Sequence, residues 1–373
     1  MLGHLCFVDI YLTYFCHFCM ITFKKQHNKC KGNKLRYIGS KTNLLKNIDL
    51  FIRKNIPNES TNSFFDAFSG TGSVGFYFKN KYKIYSCDNL YFSHLLQKCF
   101  IESNEPPDFT KLIEEIGTDP FNYLNNTSKE IHGPVFHKFS HNGEEGRKYF
   151  SEENGKKIDF ILKELRQWRK NNLLNSDDAD YIKGCLIYHL PSFSNIGGTY
   201  GAYLKNWDKR ALKPLKFYSL PYTNNKQRNR VYYDNLMNII HKIDADILYL
   251  DPPYNARQYA PNYHVLETIA LEDFENLKGV TGLRDYTDQK SDFCNKDRAE
   301  QSLKEILNRT KSKYIVMSYS SDGIMSKNDI LNIFKDSIKA NSVIIEEIPY
   351  RKFKRTKQGS KDTLYEYLIF GKK

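Results

Sequence analysis

Seven short runs rich in β-branched, aromatic and aliphatic residues punctuate the chain, at 64–68, 83–87, 230–233, 247–250, 314–318, 343–349 and 364–370. Each has strand length and is bounded by polar or turn-forming residues. Several are separated by amphipathic stretches of helical period. "KTNLLKNIDLFIRK" places Leu44, Leu45, Ile48 and Ile52 on one face, and "DRAEQSLKEILNRT" and "KNDILNIFKDSIK" repeat that pattern. Strands alternating with helices pair in parallel, because each helix returns the chain to the same end of the sheet. The expected class is α/β, with a doubly wound, mostly parallel, seven-stranded Rossmann-like sheet. The last two runs are different. The segment between them, "YRKFKRTKQGSKD", is polar and basic with no apolar face for a crossover helix, so these strands are expected to form an antiparallel hairpin at the end of the sheet.

The alternation fails between Ile101 and Asn229. This span carries one strong amphipathic helix, with Ile158, Ile161, Leu162, Leu165 and Trp168 at helical spacing. Loops dense in Lys, Asn, Tyr and Gly follow, notably "SNIGGTYGAYLKNWDKRALKPL". Residues 101–229 are therefore expected to be a module inserted into a domain built from 34–100 and 230–373. Residues 1–33 are left out of the fold as an N-terminal extension, disordered or the product of a start assigned too early. Their apolar stretch "LCFVDIYLTYFCHFCMITF" is interrupted by Asp9 and His17, with no basic leader before it and no small-residue cleavage site after it. That argues against a membrane span or a signal peptide. Cys16, Cys19, His27 and Cys30 are zinc-ligand types, but their spacing matches no established pattern, so no metal is expected.

A formal net charge of +13 favours an acidic partner, with nucleic acid the commonest. The 27 Tyr and 25 Phe residues suit base stacking, although a generic basic surface and a biased composition would look the same.

Three of the strand-like runs end in acidic residues. "NSFFDAFSGTGSVGFYFKN" runs into Asp66, then Ser69-Gly70-Thr71-Gly72, and then a helix opening near Ser73. Glycines there let a ligand approach the backbone, although the spacing is not that of a dinucleotide fold. "KIYSCDNL" ends its strand in Asp88, where a carboxylate can accept ribose hydroxyls or simply cap a helix. "ILYLDPPYNARQYAPNYHVLE" ends its strand in Asp251, followed by the rigid pair Pro252 and Pro253 and then Tyr254. In an open parallel sheet the carboxyl ends of strands share one edge, so all three belong to one cleft.

In this order the motifs resemble those of the D12-class (Dam-like) S-adenosylmethionine-dependent adenine-N6 DNA methyltransferases. "LRYIGSKTNLL" is similar to the segment that precedes the cofactor strand in that class, "FFDAFSGTGSVG" to its glycine motif, and "LYLDPPY" to its catalytic motif. The stretches "NARQYAPNYHVLETIA" and "GTYGAYLK" are most similar to the NlaIII-like group, which modifies adenine in CATG. Tyr37 stands where many relatives carry Trp.

The resemblance implies S-adenosyl-L-methionine as cofactor. Contacts to it come from Tyr37, Gly39, Ser40 and Lys41 in the first motif, from Asp66, Phe68, Gly70 and Gly72 in the second, and from Asp88 and Asp251. Asp234 and Asn235 match the position that touches the cofactor's adenine, with helix capping an equal reading of Asp234. Asp251 and the Pro252 carbonyl each accept one N–H of the target amine, Pro253 keeps the turn rigid, and Tyr254 stacks on the extruded base. The insert occupies the place of a target-recognition domain. There Tyr200, Tyr203, Lys205, Trp207, Lys209 and Arg210 interleave basic and aromatic side chains in a way that suits DNA. Arg257, Tyr259 and His264 are expected to line the base pocket or touch DNA.

The implied partner is double-stranded DNA, with a restriction endonuclease as functional counterpart. The implied enzyme is a cytoplasmic monomer of bacterial or phage type. Rival readings are a methyltransferase on cytosine N4 or RNA adenine, and an inactive DNA-binding subunit. Serine usually replaces the motif aspartate in cytosine enzymes, so Asp251 favours adenine.

Overall fold

Phe64 and Phe65 point to opposite faces of β1 (Ser63–Asp66), and both are fully buried. A strand covered on both faces belongs in the interior of a layered sheet. The computed structural model, which describes residues 37–57, 61–127, 129–350 and 364–373, puts it there. Strand β1 pairs in parallel with β2 (Lys83–Asp88) on one side and β4 (Ile247–Leu250) on the other. Strand β3 (Arg230–Tyr233) extends the β2 side in parallel, and β5 (Tyr314–Ser320) extends the β4 side. The seven-stranded order is β3-β2-β1-β4-β5-β7-β6, with β6 (Ile344–Tyr350) and β7 (Leu364–Lys372) at the far end. The hairpin forms as expected, with its second strand on the inside: β7 lies antiparallel between β5 and β6.

Helices cover both faces. On one side α1 (Leu45–Asn55), α2 (Ser73–Phe78) and α3 (Tyr91–Gln97) pack over Phe64, Ile84, Tyr249 and Val316. That apolar layer continues without a break into α4 (Glu152–Lys170), α5 (Ser176–His189) and α7 (Ala260–Leu271). The opposite face, with Phe65, Leu248, Ile315 and Met317, is covered by α6 (Leu236–Ile239), α8 (Lys296–Arg309) and α9 (Lys327–Ser337).

Helix α4 is the amphipathic helix legible at 158–168. Ser151 caps it by accepting from Asn154 N–H, and its first turn carries Glu152 and Glu153 where the helix dipole favours acids. Segment 101–229 shares the layer on the sheet. At Gly184 of α5 an added Cβ would fall 2.6 Å from Cys99 Sγ and 2.8 Å from Leu95 O, so α5 lies directly on the α3 region. Arg147 clips the same segment to a loop of the main fold, donating from Nε to Val280 O at 3.2 Å and from Nη2 to Gly279 O at 3.1 Å. Residues 1–33 with their cysteines, and the basic segment 351–363, lie outside the described residues.

Candidate active site at the carboxyl ends of the strands

The chain progresses from β1 toward β3 in one direction and from β4 toward β5 in the other, so the sheet's topological switch lies between β1 and β4. A crevice opens at such a point beyond the strand ends. Here the cleft is lined by Tyr37, Gly39, Phe68, Asp88, Asp234, Asn235, Asp251, Pro253 and Tyr259, together with residues 258 and 289–293.

Its floor is the turn after β1. Asp66 is buried, and its Oδ2 accepts from Ser69 Oγ and Gly75 N–H, both at 3.0 Å. Its Oδ1 is buried with no hydrogen-bond partner among the described residues. Burial, reinforced by nearby Asp251 and Asp88, pushes this carboxyl up to about 7, against the pull of its two donors. Gly70 and Gly72 hold φ of +52° and +79°, left-handed conformations that explain the glycines. Space demands one too: a Cβ at Gly70 would lie 2.6 Å from the Tyr37 ring. Tyr37 is itself stacked on Tyr263, 4.9 Å between centroids.

Asp88 ends β2 beside this turn. Its Oδ2 accepts from Gly70 N–H at 2.8 Å and its Oδ1 from Leu90 N–H at 2.9 Å. One carboxylate thus braces the glycine turn and the start of α3, and each oxygen keeps lone-pair capacity toward the cleft. Burial raises its pKa to about 7. Beside it, at the end of β3, Asp234 donates its N–H to Asp88 O at 3.2 Å and accepts at Oδ1 from Asn238 Nδ2 at 2.8 Å, and Asn235 caps α6 by accepting from Met237 N–H at 3.0 Å. Both also line the cleft.

Asp251 stands at the end of β4. Lys41, in a short 3₁₀ turn (Lys41–Asn43), brings its Nζ to 2.8 Å from Asp251 Oδ1 and 3.1 Å from Glu366 Oε1. Burial opposes the ammonium's charge, yet the two carboxylates outweigh it and hold Lys41 above the ordinary lysine range. Asp251 is raised by burial, against Lys41. Pro252 is buried, and the backbone carbonyl of Tyr254 accepts from Ile324 N–H at 2.8 Å, which pins the loop to the turn after β5. Phe68 meets Phe293 edge-on at 5.2 Å.

Several expected contacts fall elsewhere. Lys41 is 5% exposed, is directed at Asp251 and Glu366, and is not among the residues that line the cleft. Ser40, which bonds to Thr42 at 2.8 Å, and Gly72 do not line the cleft. Tyr200 is buried, its hydroxyl 2.8 Å from Ser194 Oγ, and therefore presents nothing to DNA. His264 is buried beside the Tyr149 hydroxyl at 3.3 Å, and burial lowers it to about 4, which makes it a neutral core residue. Tyr259 belongs to the cleft, where a Cβ on Gly39 would come within 2.7 Å of its hydroxyl. Arg210 is engaged internally, by Asp208 at 2.9 Å and Ile196 O at 2.5 Å. Tyr203 is half-buried against Tyr149 and Trp207 half-buried against His141, whereas Lys205, Lys209 and Arg257 are exposed.

Sequence reasoning missed a third wall. Gln258 exchanges hydrogen bonds with the backbone of Ser291, at 3.0 and 2.8 Å. Gln289 donates to Glu267, whose two oxygens accept the Tyr91 and Phe92 N–H groups at the start of α3. A buried carboxylate in α7 thus fixes the helix that follows Asp88. A glutamic acid inside the otherwise apolar run "HVLETIAL" was the available signal.

The family of D12 class N6 adenine-specific DNA methyltransferases matches the chain over residues 37–333. The chain is 42% identical over 339 residues to the type II methyltransferase M.FokI of Planomicrobium okeanokoites, a match spanning 90% of this chain and 52% of that protein. It is 37% identical over 336 residues to the modification methylase StsI of Streptococcus sanguinis, spanning 90% of this chain and 51% of that one. To the type II methyltransferase M.NlaIII of Neisseria lactamica it is 32% identical over 342 residues, spanning 90% of this chain and 98% of that one. The chain therefore spans about half the length of the first two relatives and nearly all of the third. With Asp88 and Asp251 lining one cleft and Asp66 buried beside it, the chain belongs to the D12 class of N6 adenine-specific DNA methyltransferases.

Proposed function

We propose that the protein transfers a methyl group from S-adenosylmethionine to the N6 amine of an adenine extruded from duplex DNA. It would act as a monomer and as the modification half of a restriction-modification system. The observation that carries this reading is Asp251, held by Lys41 at 2.8 Å on the rim of a cleft whose other walls include Asp88 and Asp234.

The residues present fit the cofactor. Asp66 Oδ1 is a buried acceptor with no partner among the described residues, the turn after β1 brings Ala67 and Phe68 to the cleft, and Asp88 has acceptor capacity for ribose hydroxyls. The cleft's acidic character suits a cationic ligand. When bound, S-adenosylmethionine supplies a methyl group already activated by its sulfonium.

The chain's own residues prepare the other reactant. An adenine amine is a poor nucleophile because its lone pair is delocalised into the ring. Asp251 and the Pro252 carbonyl accept its two N–H groups and localise that lone pair, while the prolines keep both acceptors preorganised. Tyr254 stacks on the flipped base. Asp251, raised by burial, is suited to take the proton that the methylated amine must release.

The exposed Lys205 and Lys209 are the proposed phosphate contacts of the insert. The choice of CATG rests only on likeness to the NlaIII-like group. An Asp251→Ala variant tests the core of the reading. Methyl transfer should fall by about 10²- to 10³-fold or more while cofactor affinity, measured calorimetrically, changes by only a few fold. Turnover near that of the wild type would defeat the assignment.

A further inference from the structure

Glu366 is a buried carboxylate with no part in the chemistry described so far, and it is 5% exposed. It sits near the start of β7, opposite Ser320 of β5 and Ile348 of β6. The pleat places it on the same face as Leu368, as Ser318 and Ser320 of β5, and as Tyr249 of β4. Lys41 comes down on that face and reaches across β5. Its single ammonium joins Glu366 on β7 to Asp251 at the end of β4, at 3.1 and 2.8 Å.

We propose that Glu366 is a positioning residue for methyl transfer, acting through Lys41 to set the placement and acceptor strength of Asp251. This rests on the functional reading above. A one-to-one pair of Lys41 with Asp251 would already be neutral, and a buried ion pair costs least when neutral. Burial raises the Glu366 carboxyl, against Lys41. With Glu366 ionised beside Asp251 the cluster carries one negative charge in excess, and the surroundings do not cancel it. Asp66 of β1, Tyr249 of β4 and Tyr259 of the following loop face Asp251, and Asp322 faces Glu366; all are acidic or neutral.

Such an arrangement does little for stability but has two effects at the site. It divides the pull of Lys41 between two carboxylates, so Asp251 stays a stronger acceptor toward the target amine than it would in an exclusive pair. It also anchors Lys41 from the far side, which fixes the direction from which Asp251 Oδ1 is held.

The isosteric Glu366→Gln variant separates this from a packing role. Its expected kcat on unmethylated duplex DNA falls about tenfold while KM for DNA and for S-adenosylmethionine stay within about twofold. The acid limb of its kcat profile moves to lower pH, because a negative charge near Asp251 is gone. Glu366→Asp keeps the charge and is expected to recover the wild-type acid limb. A carbon-13 titration of the Asp251 carboxyl, in wild type and Glu366→Gln without DNA or cofactor, should show the same downward move.

Unchanged kcat overturns the proposal. So does a loss of activity that tracks a lower melting temperature with the acid limb and the Asp251 titration unmoved. Failure of the functional reading would look different. The wild type would then place no methyl group on adenine, while the carboxyl titration would still report whether Glu366 controls Asp251.

Discussion

At the residue scale, the site concentrates carboxylates that burial makes reluctant to ionise. Asp66 is the clearest, with a folded value of about 7 against an ordinary 3.8. For an acid whose folded value is raised, the stabilising contribution is full below the unfolded value and is lost as pH rises through the folded one. Asp66→Asn removes that titration. The melting temperature of wild type relative to this variant is therefore expected to fall by several degrees between pH 4 and pH 7 in the absence of cofactor, and scanning calorimetry checks it. A difference that is flat or rising over that window would contradict the burial argument. Much of this site was legible residue by residue. Asp66, Asp88 and Asp251 stand at strand ends in the sequence, and Gly70 and Gly72 have the backbone angles that such a turn requires. Lys41 was legible as a site residue but not as the partner of Asp251, because that contact depends on how a 3₁₀ turn drapes over the sheet. Glu366 was not legible at all: one glutamate in "LYEYLIFG" acquires meaning only through the register of β7 against β5.

At the element scale, the seven strands lie within two residues of their sequence limits, because apolar runs bounded by turn-formers leave little freedom. Strand order is another matter. The insertion of β7 between β5 and β6 follows from packing over the whole sheet, which no local pattern records. Segment 101–229 shows the same division. Its amphipathic α4 was visible, whereas the seating of α5 on the α3 region was hidden in the contact of Gly184 with Cys99 and Leu95. Its basic-aromatic loop is split by burial: Tyr200 and Arg210 are used internally, and Lys205 and Lys209 remain exposed. Neutralising those two lysines together should weaken DNA binding and lower the log–log salt slope by roughly one unit per lost phosphate contact, with cofactor affinity unaltered. A titration of DNA binding at several salt concentrations decides it. A double variant with normal affinity and slope would return both lysines to a solvated surface.

At the scale of the whole molecule, a chain with formal net charge +13 carries a cleft walled by Asp88, Asp234 and Asp251, with Asp66 buried beside it. The net positive charge of the sequence suits a polyanion, and the acidic cleft suits a small cation. Among the described residues no helix is long and apolar enough to cross a membrane. Family membership fixes the class of chemistry, while the transfer itself and its target base are the central proposal. The direct measurement is to incubate the purified protein with S-adenosylmethionine carrying an isotopically labelled methyl group and with unmethylated duplex DNA, digest the product to nucleosides, and identify the labelled species by mass spectrometry. The expected result is label on N6-methyl-2′-deoxyadenosine alone, lost in Asp251→Ala. Label on N4-methyl-2′-deoxycytidine, or none from folded protein that binds S-adenosylmethionine, would contradict it.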